Sequence, residues 1–250
     1  MIVLKTSREL KIMREAGRIA ANALKAAGAA IEPGVSTWEI DRVARRYIEG
    51  HGAKPTFLGY GGFPASACVS INNVVIHGIP SKNRIVKEGD IVSIDVGATY
   101  QGFVGDNAWT FPCGKVSKEA QALMDATRES LMEGIKAAVA GNRIGDVGSA
   151  VQRYAEARGY SVVRSFVGHG VGAKMHEDPS VPNYGTPGRG VRLLPGMTIA
   201  IEPMVNQGVK EVKTLNDGWT TVTADGKLSA HFEKSIAITQ NGPVILTMPD

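Results

Sequence analysis

The sequence predicts an α/β protein built from a duplicated helix–helix–sheet unit, whose two halves form one domain around a pseudo-twofold axis. The first half begins with two helix-start signals, Thr6–Glu9 and Ser36–Glu39. In each, a hydroxyl and a glutamate three residues later satisfy each other's free backbone amides. They predict helices that end near Gly28 and Gly50, because glycine commonly terminates a helix. The β-rich stretch 91–111 follows, so the order is two helices and then a sheet.

The second half repeats this order. Helices are predicted from about Ser117 to Ala140 and from Asp146 to Arg158, ahead of β-rich sequence from 197 to 239. When the chain is shifted against itself by 107 residues, Gly89–Asp95 falls on Gly196–Glu202 without a gap. An acid then ends both strands at the same place. This shared register indicates an internal duplication.

The duplication and the composition together suggest one domain. We expect residues 1–250 to form a single catalytic domain with repeats at about 7–112 and 117–240. Two α+β domains with a cleft between them are the alternative. Apolar residues make up 43% of the chain and charged residues 21%, which suits a large buried core and excludes a disordered chain.

Cysteine count, hydropathy and charge indicate the compartment and the partners. Cys68 and Cys113 are too few for a disulfide scaffold, and no run approaches the roughly 18 apolar residues of a membrane helix. The N-terminus places charge directly after three apolar residues, unlike a signal peptide. We therefore expect a cytoplasmic monomer without membrane contact. The net charge of +4 comes from scattered basic residues, so no sequence-specific nucleic acid is expected, while transient ribosome association stays open.

Two aspartates in the first β-rich stretch point to a site. If Tyr100-Gln101 is a two-residue turn, the stretch folds as a hairpin in which Asp95 directly faces Asp106. Like charges that face each other destabilise a strand pair, and aspartate is a poor strand residue. Solvent exposure, a shared proton or a bound cation would offset these costs. No Asp-Thr-Gly or Asp-Ser-Gly loop supports the shared proton.

Two glutamates in the second half favour the cation. Glu202 and Glu233 each lie in an apolar strand, and the turn signal Asp217-Gly218 sits midway between them, which is consistent with their facing one another. A second signal, Asp225-Gly226, would make a smaller local hairpin, so the register stays open. A single strand glutamate usually lies on the surface. Four acids in two strand pairs related by the repeat instead favour a pair of metal ions.

Three histidines lie in segments that are rich in glycine or resemble loops: His77, His169 and His176. His169 is flanked by glycines, which leave room for a ligand to approach. Four carboxylates with one imidazole suit Mn, Fe(II), Co or Zn pairs rather than a structural zinc site rich in cysteine. Two dications would neutralise the four acids and could activate water, so the pattern predicts metal-assisted hydrolysis.

Several segments, in this order and spacing, resemble the type I methionine aminopeptidases. They are Tyr60-Gly-Gly-Phe-Pro, the stretch from Cys68 to Pro80, Gly-Asp-Ile-Val-Ser-Ile-Asp95, Gly105-Asp106, Gly-His169-Gly-Val-Gly, Met-His176-Glu, Ile-Glu202-Pro-Met-Val and Phe-Glu233. The resemblance runs nearly end to end. It implies the pita-bread fold, with a dimetal site between duplicated halves, and removal of the initiator methionine from new polypeptides when the next residue is small.

The resemblance also implies the role of each site residue. Five metal ligands carry over: Asp95, Asp106, His169, Glu202 and Glu233. Of these, Asp106 and Glu233 would bridge two divalent ions drawn from Co, Mn, Fe(II), Zn or Ni. His77 and His176 would contact the scissile peptide, His176 would stabilise its carbonyl oxygen, and Glu202 would carry the proton from water to the leaving amine.

The same resemblance implies a methionine pocket and two departures from the family pattern. The expected pocket walls are Tyr60, Phe63, Cys68, Met175 and Trp219. Met175 stands where many members have Phe, and Ile76 precedes His77 where some carry Cys. Neither departure touches an expected ligand. A related Xaa-Pro aminopeptidase or prolidase, and a binding module that has lost catalysis, are the competing functions.

Overall fold

The computed structural model describes residues 1–250. Its α-helices are α1 Ser7–Ala29, α2 Thr37–Gly50, α3 Lys118–Ala137 and α4 Ile144–Glu156, and a short 3-10 helix covers Tyr60–Gly62. The strands are β1 Lys54–Pro55, β2 Ala67–Ile71, β3 Val74–Ile76, β4 Ile91–Tyr100, β5 Phe103–Pro112, β6 Ser161–Val162, β7 Gly168–Gly170, β8 Glu177–Val181, β9 Thr198–Ile201, β10 Met204–Asn206, β11 Val212–Thr214, β12 Thr221–Thr223, β13 Ser229–His231, β14 Lys234–Thr239 and β15 Gly242–Ile245. No α-helix combines the length and the apolar run that a bilayer crossing requires.

The first two helices begin where their capping boxes predict. The Thr6 hydroxyl accepts the backbone N–H of Glu9 at 3.3 Å, and the Glu9 carboxylate accepts the Thr6 N–H at 2.7 Å. Ser36 and Glu39 make the same reciprocal pair at the start of α2. Because both partners of each box are satisfied, four otherwise free amide hydrogens are accounted for at these two helix starts.

The later helices differ from the prediction at their ends. Helix α3 ends at Ala137, three residues early, because the side chain of Asn142 donates to the Ala137 carbonyl at 2.9 Å and takes the place of the next helical turn. Helix α4 begins at Ile144, two residues early. Asp146 accepts the backbone N–H of Arg143 at 2.7 Å, so it caps the helix from within the first turn and is not its first residue.

The first-half hairpin has a different register from the predicted one. Strands β4 and β5 pair from Ile91↔Pro112 to Tyr100↔Phe103, so Gln101 and Gly102 form the turn. Both have positive φ, 46° and 82°, as a type I′ hairpin requires, and glycine adopts this conformation without strain. The turn therefore moves one residue along the chain.

The shifted turn makes the predicted facing of the two aspartates wrong. Asp95 faces Ala108, and Asp106 faces Gly97. Asp95 and Asp106 are instead diagonal neighbours, whose side chains leave the same face of the hairpin because residues two apart in a strand share a face. The two acids therefore still converge on one face of the hairpin, although they do not face each other directly.

The second-half hairpin keeps the register that its first turn signal predicts. Ile201 pairs with Lys234 and Met204 pairs with His231, so Glu202 and Glu233 lie opposite each other in the gap between the two ladders. Strands β11 and β12 continue the same register around Asp217-Gly218. Gly226, in the second signal, makes only a local turn with Thr223.

Matching strand pairs occur 107 residues apart in the two halves. Lys54 pairs with Thr99 between β1 and β4, and Ser161 pairs with Asn206 between β6 and β10. Helix α2 likewise precedes α4 by 107 residues at its first residue. Two large clusters of buried apolar side chains lie under these halves, and Trp109 packs against both.

Helix α1 lies directly on strand β5, on the face away from Asp106. A Cβ atom on Gly105 would lie 2.4 Å from the Cα of Gly17, so this approach requires glycine at position 105. The contact brings the helix against the strand that carries Asp106.

Candidate active site

All twelve residues that the sequence predicts for the site line one cavity of about 150 Å³. They are Tyr60, Phe63, Cys68, His77, Asp95, Asp106, His169, Met175, His176, Glu202, Trp219 and Glu233, and Phe57 joins them. They come from both halves of the chain, and four of them lie within strands: Cys68 in β2, Asp95 in β4, Asp106 in β5 and His169 in β7. The cavity therefore brings together every residue that was predicted from separate segments.

Acidic side chains are concentrated at one end of this cavity. One ligand atom from each of Asp106, His169 and Glu233 lies within 4.8 Å of the other two. Asp106 and Glu233 are 2% exposed. Asp95 Oδ1, Asp106 Oδ1 and Glu233 Oε1 are buried and have no hydrogen-bond partner. Buried polar atoms are normally satisfied, so these oxygens indicate a positively charged group that the protein itself does not supply.

The pKa values of the acids also indicate an excess of buried negative charge. Burial raises the pKa of Asp95 and of Glu233 well above their usual ranges, and the Asp106 charge adds to the rise in both cases. Burial also raises the pKa of Asp106, although His169 opposes that rise. Carboxylates that repel one another in a desolvated site favour a cation, so the donor set fits divalent metal ions.

His169 is oriented toward the acids by its own strand. Its Nδ1–H donates to the Gly170 carbonyl at 2.8 Å, which leaves Nε2 facing Asp106 Oδ2 at 3.6 Å and Glu202 Oε1 at 3.5 Å. Burial lowers the pKa of His169, but the hydrogen bond and charge of Asp106 and the charge of Glu202 outweigh it and raise the pKa to about 9. A ring nitrogen fixed in this way is the usual arrangement of a metal-binding histidine.

Glycines on both sides of His169 allow this strand to fit between its neighbours. A Cβ atom on Gly168 would lie 2.3 Å from the Ala200 carbonyl oxygen, and one on Gly170 would lie 2.2 Å from that of Asp178. Any side chain there would push β7 away from β8 and β9. The glycines therefore serve strand packing, in addition to leaving room around the imidazole.

Two further histidines border the acids. The His176 Nδ1 atom hydrogen-bonds to the Tyr60 hydroxyl at 2.7 Å, and its ring centre lies 4.3 Å from that of His169. His77 adopts a positive φ of 58° and packs edge-on against Trp219. Burial lowers the pKa of both rings, that of His77 to about 4. Both imidazoles are therefore neutral at pH 7.

The remaining wall of the cavity is apolar. Phe63 and Trp219 meet in a T-shaped contact with ring centres 5.2 Å apart, and Cys68 and Met175 are buried beside them. Burial raises the pKa of the Cys68 thiol well above its usual range, so the thiol is a packing group. Tyr60 is half exposed and lies at the mouth.

Sequence reasoning missed two residues near the site. Phe57 lines the cavity and fills the space over Gly97, where a Cβ atom would lie 2.7 Å from the Phe57 ring. No sequence signal marks it. His231 is buried, and its Nε2 atom lies 3.7 Å from Glu202 Oε2. The sequence did contain a signal for His231. It lies two residues before Glu233, and residues two apart in a strand point to the same face.

Comparison with known proteins identifies the family of the chain. The family model described as "Metallopeptidase family M24" matches residues 11–240. The chain belongs to this family. This M24 chain is 54% identical to methionine aminopeptidase of Clostridium perfringens over 248 residues, which cover 99% of each protein. It is 53% identical to methionine aminopeptidase 1 of Bacillus subtilis over 247 residues, again 99% of each.

Solved structures agree with these relatives. The M24 chain superposes on methionine aminopeptidase from Thermotoga maritima with a TM-score of 0.97 and 48% identity over 99% of both chains. Prolidase from Pyrococcus furiosus gives a TM-score of 0.80 at 23% identity, over 99% of this chain and 66% of that one, which shows the fold alone. The predicted resemblance and pita-bread fold are confirmed. Family membership makes the chain a metal-dependent peptidase, and Asp106, His169 and Glu233 form a candidate metal-binding group.

Proposed function

We propose that this M24 peptidase is a methionine aminopeptidase that removes the initiator methionine from new polypeptides, preferring a small second residue. The single observation that carries the proposal is the cavity itself, which joins a carboxylate–imidazole cluster to an apolar wall. Residues 1–250 act as one catalytic domain, with the internal repeats at about 7–112 and 117–240. The relatives in Clostridium perfringens and Bacillus subtilis carry the same name.

Five side chains hold the metal ions in this proposal: Asp95, Asp106, His169, Glu202 and Glu233. By the family resemblance, Asp106 and Glu233 would bridge two ions; both side chains are buried, and each has an oxygen without a hydrogen-bond partner. Asp95 would complete one site, and His169 with Glu202 would complete the other. When bound, such an ion pair polarises a carbonyl oxygen and lowers the pKa of bound water.

The apolar wall selects the methionine side chain. Phe63, Cys68, Met175 and Trp219 offer aromatic rings and polarizable sulfur, which make favourable contacts with a thioether. Tyr60 closes the mouth of the pocket. Because the wall is buried and close to the acids, it places the first peptide bond of a bound chain beside them.

Three side chains handle the peptide bond and its protons. With the Tyr60 hydroxyl as the donor in its hydrogen bond to His176 Nδ1, the neutral ring would carry its proton on Nε2 and donate it to the carbonyl oxygen as negative charge develops. His77 also contacts the peptide. Glu202 moves the proton from the attacking water to the leaving amine, and its side chain is 14% exposed, against 3% for that of Asp106.

Peptide hydrolysis tests this function. The protein is incubated with Met-Ala and Met-Pro peptides and with Xaa-Pro peptides whose first residue is not methionine, each with and without EDTA. We expect release of methionine from the first two and its loss in EDTA. Activity on Xaa-Pro alone would identify a prolidase-like enzyme, and no metal-dependent hydrolysis of any peptide would identify a binding module.

The cellular setting is also part of the proposal. The enzyme acts as a monomer in the cytoplasm on the N-termini of nascent proteins, with only transient contact to the ribosome and no specific nucleic acid. Its scattered positive charge supports weak attraction to a polyanion. Sedimentation of the protein with purified ribosomes at low and at physiological salt tests this statement.

A further inference from the structure

We propose that His231 is a positioning residue for Glu202, whose imidazole holds one carboxylate oxygen while the other faces the metal-binding cluster. The inference rests on the proposed function for the role of Glu202. The contact between the two side chains is a feature of the fold by itself. His231 is therefore a residue of the active site that acts through its neighbour.

The strand register places His231 at a position equivalent to that of Asp106. In the first half, Asp95 faces Ala108, and Asp106 lies two residues before Ala108 on the partner strand. In the second half, Glu202 lies opposite Glu233 by the shared register, and His231 lies two residues before Glu233. In each half, the acid on the first strand, Asp95 or Glu202, therefore has a diagonal neighbour on the second strand. That neighbour is an aspartate in one half and a histidine in the other.

The two oxygens of Glu202 have different neighbours. Oε1 lies 3.5 Å from His169 Nε2, and Oε2 lies 3.7 Å from His231 Nε2. The second distance is slightly longer than a hydrogen bond. His231 Nε2 is buried and has no partner elsewhere, so Glu202 is the acceptor that can satisfy it. A small rotation of the carboxylate about its terminal bond closes the gap and leaves Oε1 toward the cluster.

The backbone of His231 is held on both sides. Its N–H donates to the Thr110 hydroxyl at 3.0 Å, and that hydroxyl donates to its carbonyl oxygen at 2.8 Å. Thr110 also hydrogen-bonds to Ser93 at 2.8 Å, which connects His231 to the hairpin that carries Asp95 and Asp106. An imidazole on so firmly held a backbone can restrict the side chain of Glu202.

This restriction has a chemical purpose. Carboxylates that bind metal are usually held by a further hydrogen bond, and losing that bond typically lowers metal affinity 10- to 100-fold. Glu202 also has to present a fixed oxygen to the water and then to the leaving amine. A carboxylate free to rotate would do both less well, so His231 supports metal binding and turnover through one contact.

Four variants separate positioning from packing. His231→Gln keeps an N–H donor of similar reach, His231→Leu keeps the bulk without a donor, and His231→Asn keeps an amide that is too short. Ser229→Ala is the matched control, because Ser229 is equally buried on the same strand and face. Each metal-free protein is titrated with Mn²⁺ in a calorimeter and heated to its Tm. The kcat and KM values are then measured on a Met-Ala peptide.

We expect His231→Leu and His231→Asn to bind Mn²⁺ about 10- to 100-fold more weakly than the parent protein. Their kcat should fall by a similar factor with KM within about threefold, and His231→Gln and Ser229→Ala should stay within about threefold of the parent in both measurements. If His231→Leu does not fold, the comparison of His231→Asn with His231→Gln still separates a variant whose donor is too short from one whose donor reaches Glu202.

Two results would overturn the inference. One is parental Mn²⁺ affinity in His231→Leu or His231→Asn, and the other is a Gln variant as weak as the Leu variant, which would mean that packing alone matters. If the parent protein releases no methionine from any peptide, the proposed function fails. The Mn²⁺ titrations still decide whether His231 positions Glu202.

Discussion

Replacing Asp106 by Asn should move metal binding and metal-free stability in opposite directions. The amide has the same shape as the carboxylate and lacks its charge. Two unit charges about 4 Å apart interact by about 4 kcal/mol at an effective dielectric of 20. The loss of one charge next to bound dications should therefore cost at least about 4 kcal/mol, or roughly 1,000-fold in affinity. Turnover should be abolished with it.

The metal-free protein should respond with the opposite sign. Burial raises the pKa of Asp106, and the Asp106 charge raises the pKa values of Asp95 and Glu233. A raised pKa in the folded state means that the charged acid opposes folding at pH 7, and removing its charge relieves this penalty. We expect the Asn variant to unfold at a Tm a few degrees above that of the metal-free parent, since about 1 kcal/mol corresponds to about 2–4 °C in a protein of this size.

Calorimetric Mn²⁺ titration, Met-Ala hydrolysis and thermal unfolding in EDTA measure the three quantities. Asp125→Asn is the control, because Asp125 is a partly exposed acid on α3 outside the cavity, and its replacement should remove only its ion pair with Arg128. Full rate and full metal content in Asp106→Asn would show that the bridging assignment is wrong. A metal-free variant several degrees less stable than the parent would refute the repulsion argument itself.

Other perturbations test the remaining parts of the site. His176→Ala should lower kcat about 100- to 1,000-fold while sparing metal content, as metal analysis of the purified variant would show; normal kcat would remove its role at the carbonyl oxygen. Burial lowers the pKa of His77 to about 4, so its imidazole should show no titration by NMR between pH 5.5 and 8. The contribution of His77 to the free energy of unfolding should fall as the pH drops from about 6.5 to 4, because in that range only the unfolded chain takes up the proton. Trp219→Ala should raise KM for methionyl peptides more than it lowers kcat, whereas Trp38→Ala, an exposed tryptophan on α2, should leave both unchanged. EDTA should abolish activity and Mn²⁺ should restore it, and activity that persists in EDTA would contradict the metal assignment.

Local signals predicted the helices and the convergence of the acids. Thr6–Glu9 and Ser36–Glu39 are complete capping boxes, so the sequence itself identifies the first residues of α1 and α2. Asp217-Gly218 lies equidistant from Glu202 and Glu233 and so indicated the register that the second hairpin has, although Asp225-Gly226 left an alternative open. These features depend on residues a few positions apart, which is why they can be read without a structure.

Features that depend on the shape of distant segments were not predictable. The first hairpin shifted by one residue because the positive φ angles of Gln101 and Gly102 outweighed the symmetric spacing of its aspartates. Phe57 reaches the cavity only because Gly97, on another strand, leaves space for its ring. Whether His231 has a partner depends on the side-chain position of Glu202, which strand alternation alone does not give.

The close contact of Gly17 with Gly105 extends the constraints of catalysis to the outer surface of the enzyme. Gly105 adjoins Asp106 in the chain, so a methyl group on Gly105 would force α1 away from the strand that bears this acid, whereas one on Gly17 would meet the Leu246 carbonyl oxygen at 2.4 Å. Substitutions in α1 at this contact should therefore change the catalytic rate. Adaptation of the enzyme to heat or cold has to preserve the contact between α1 and β5 and change other surface positions instead.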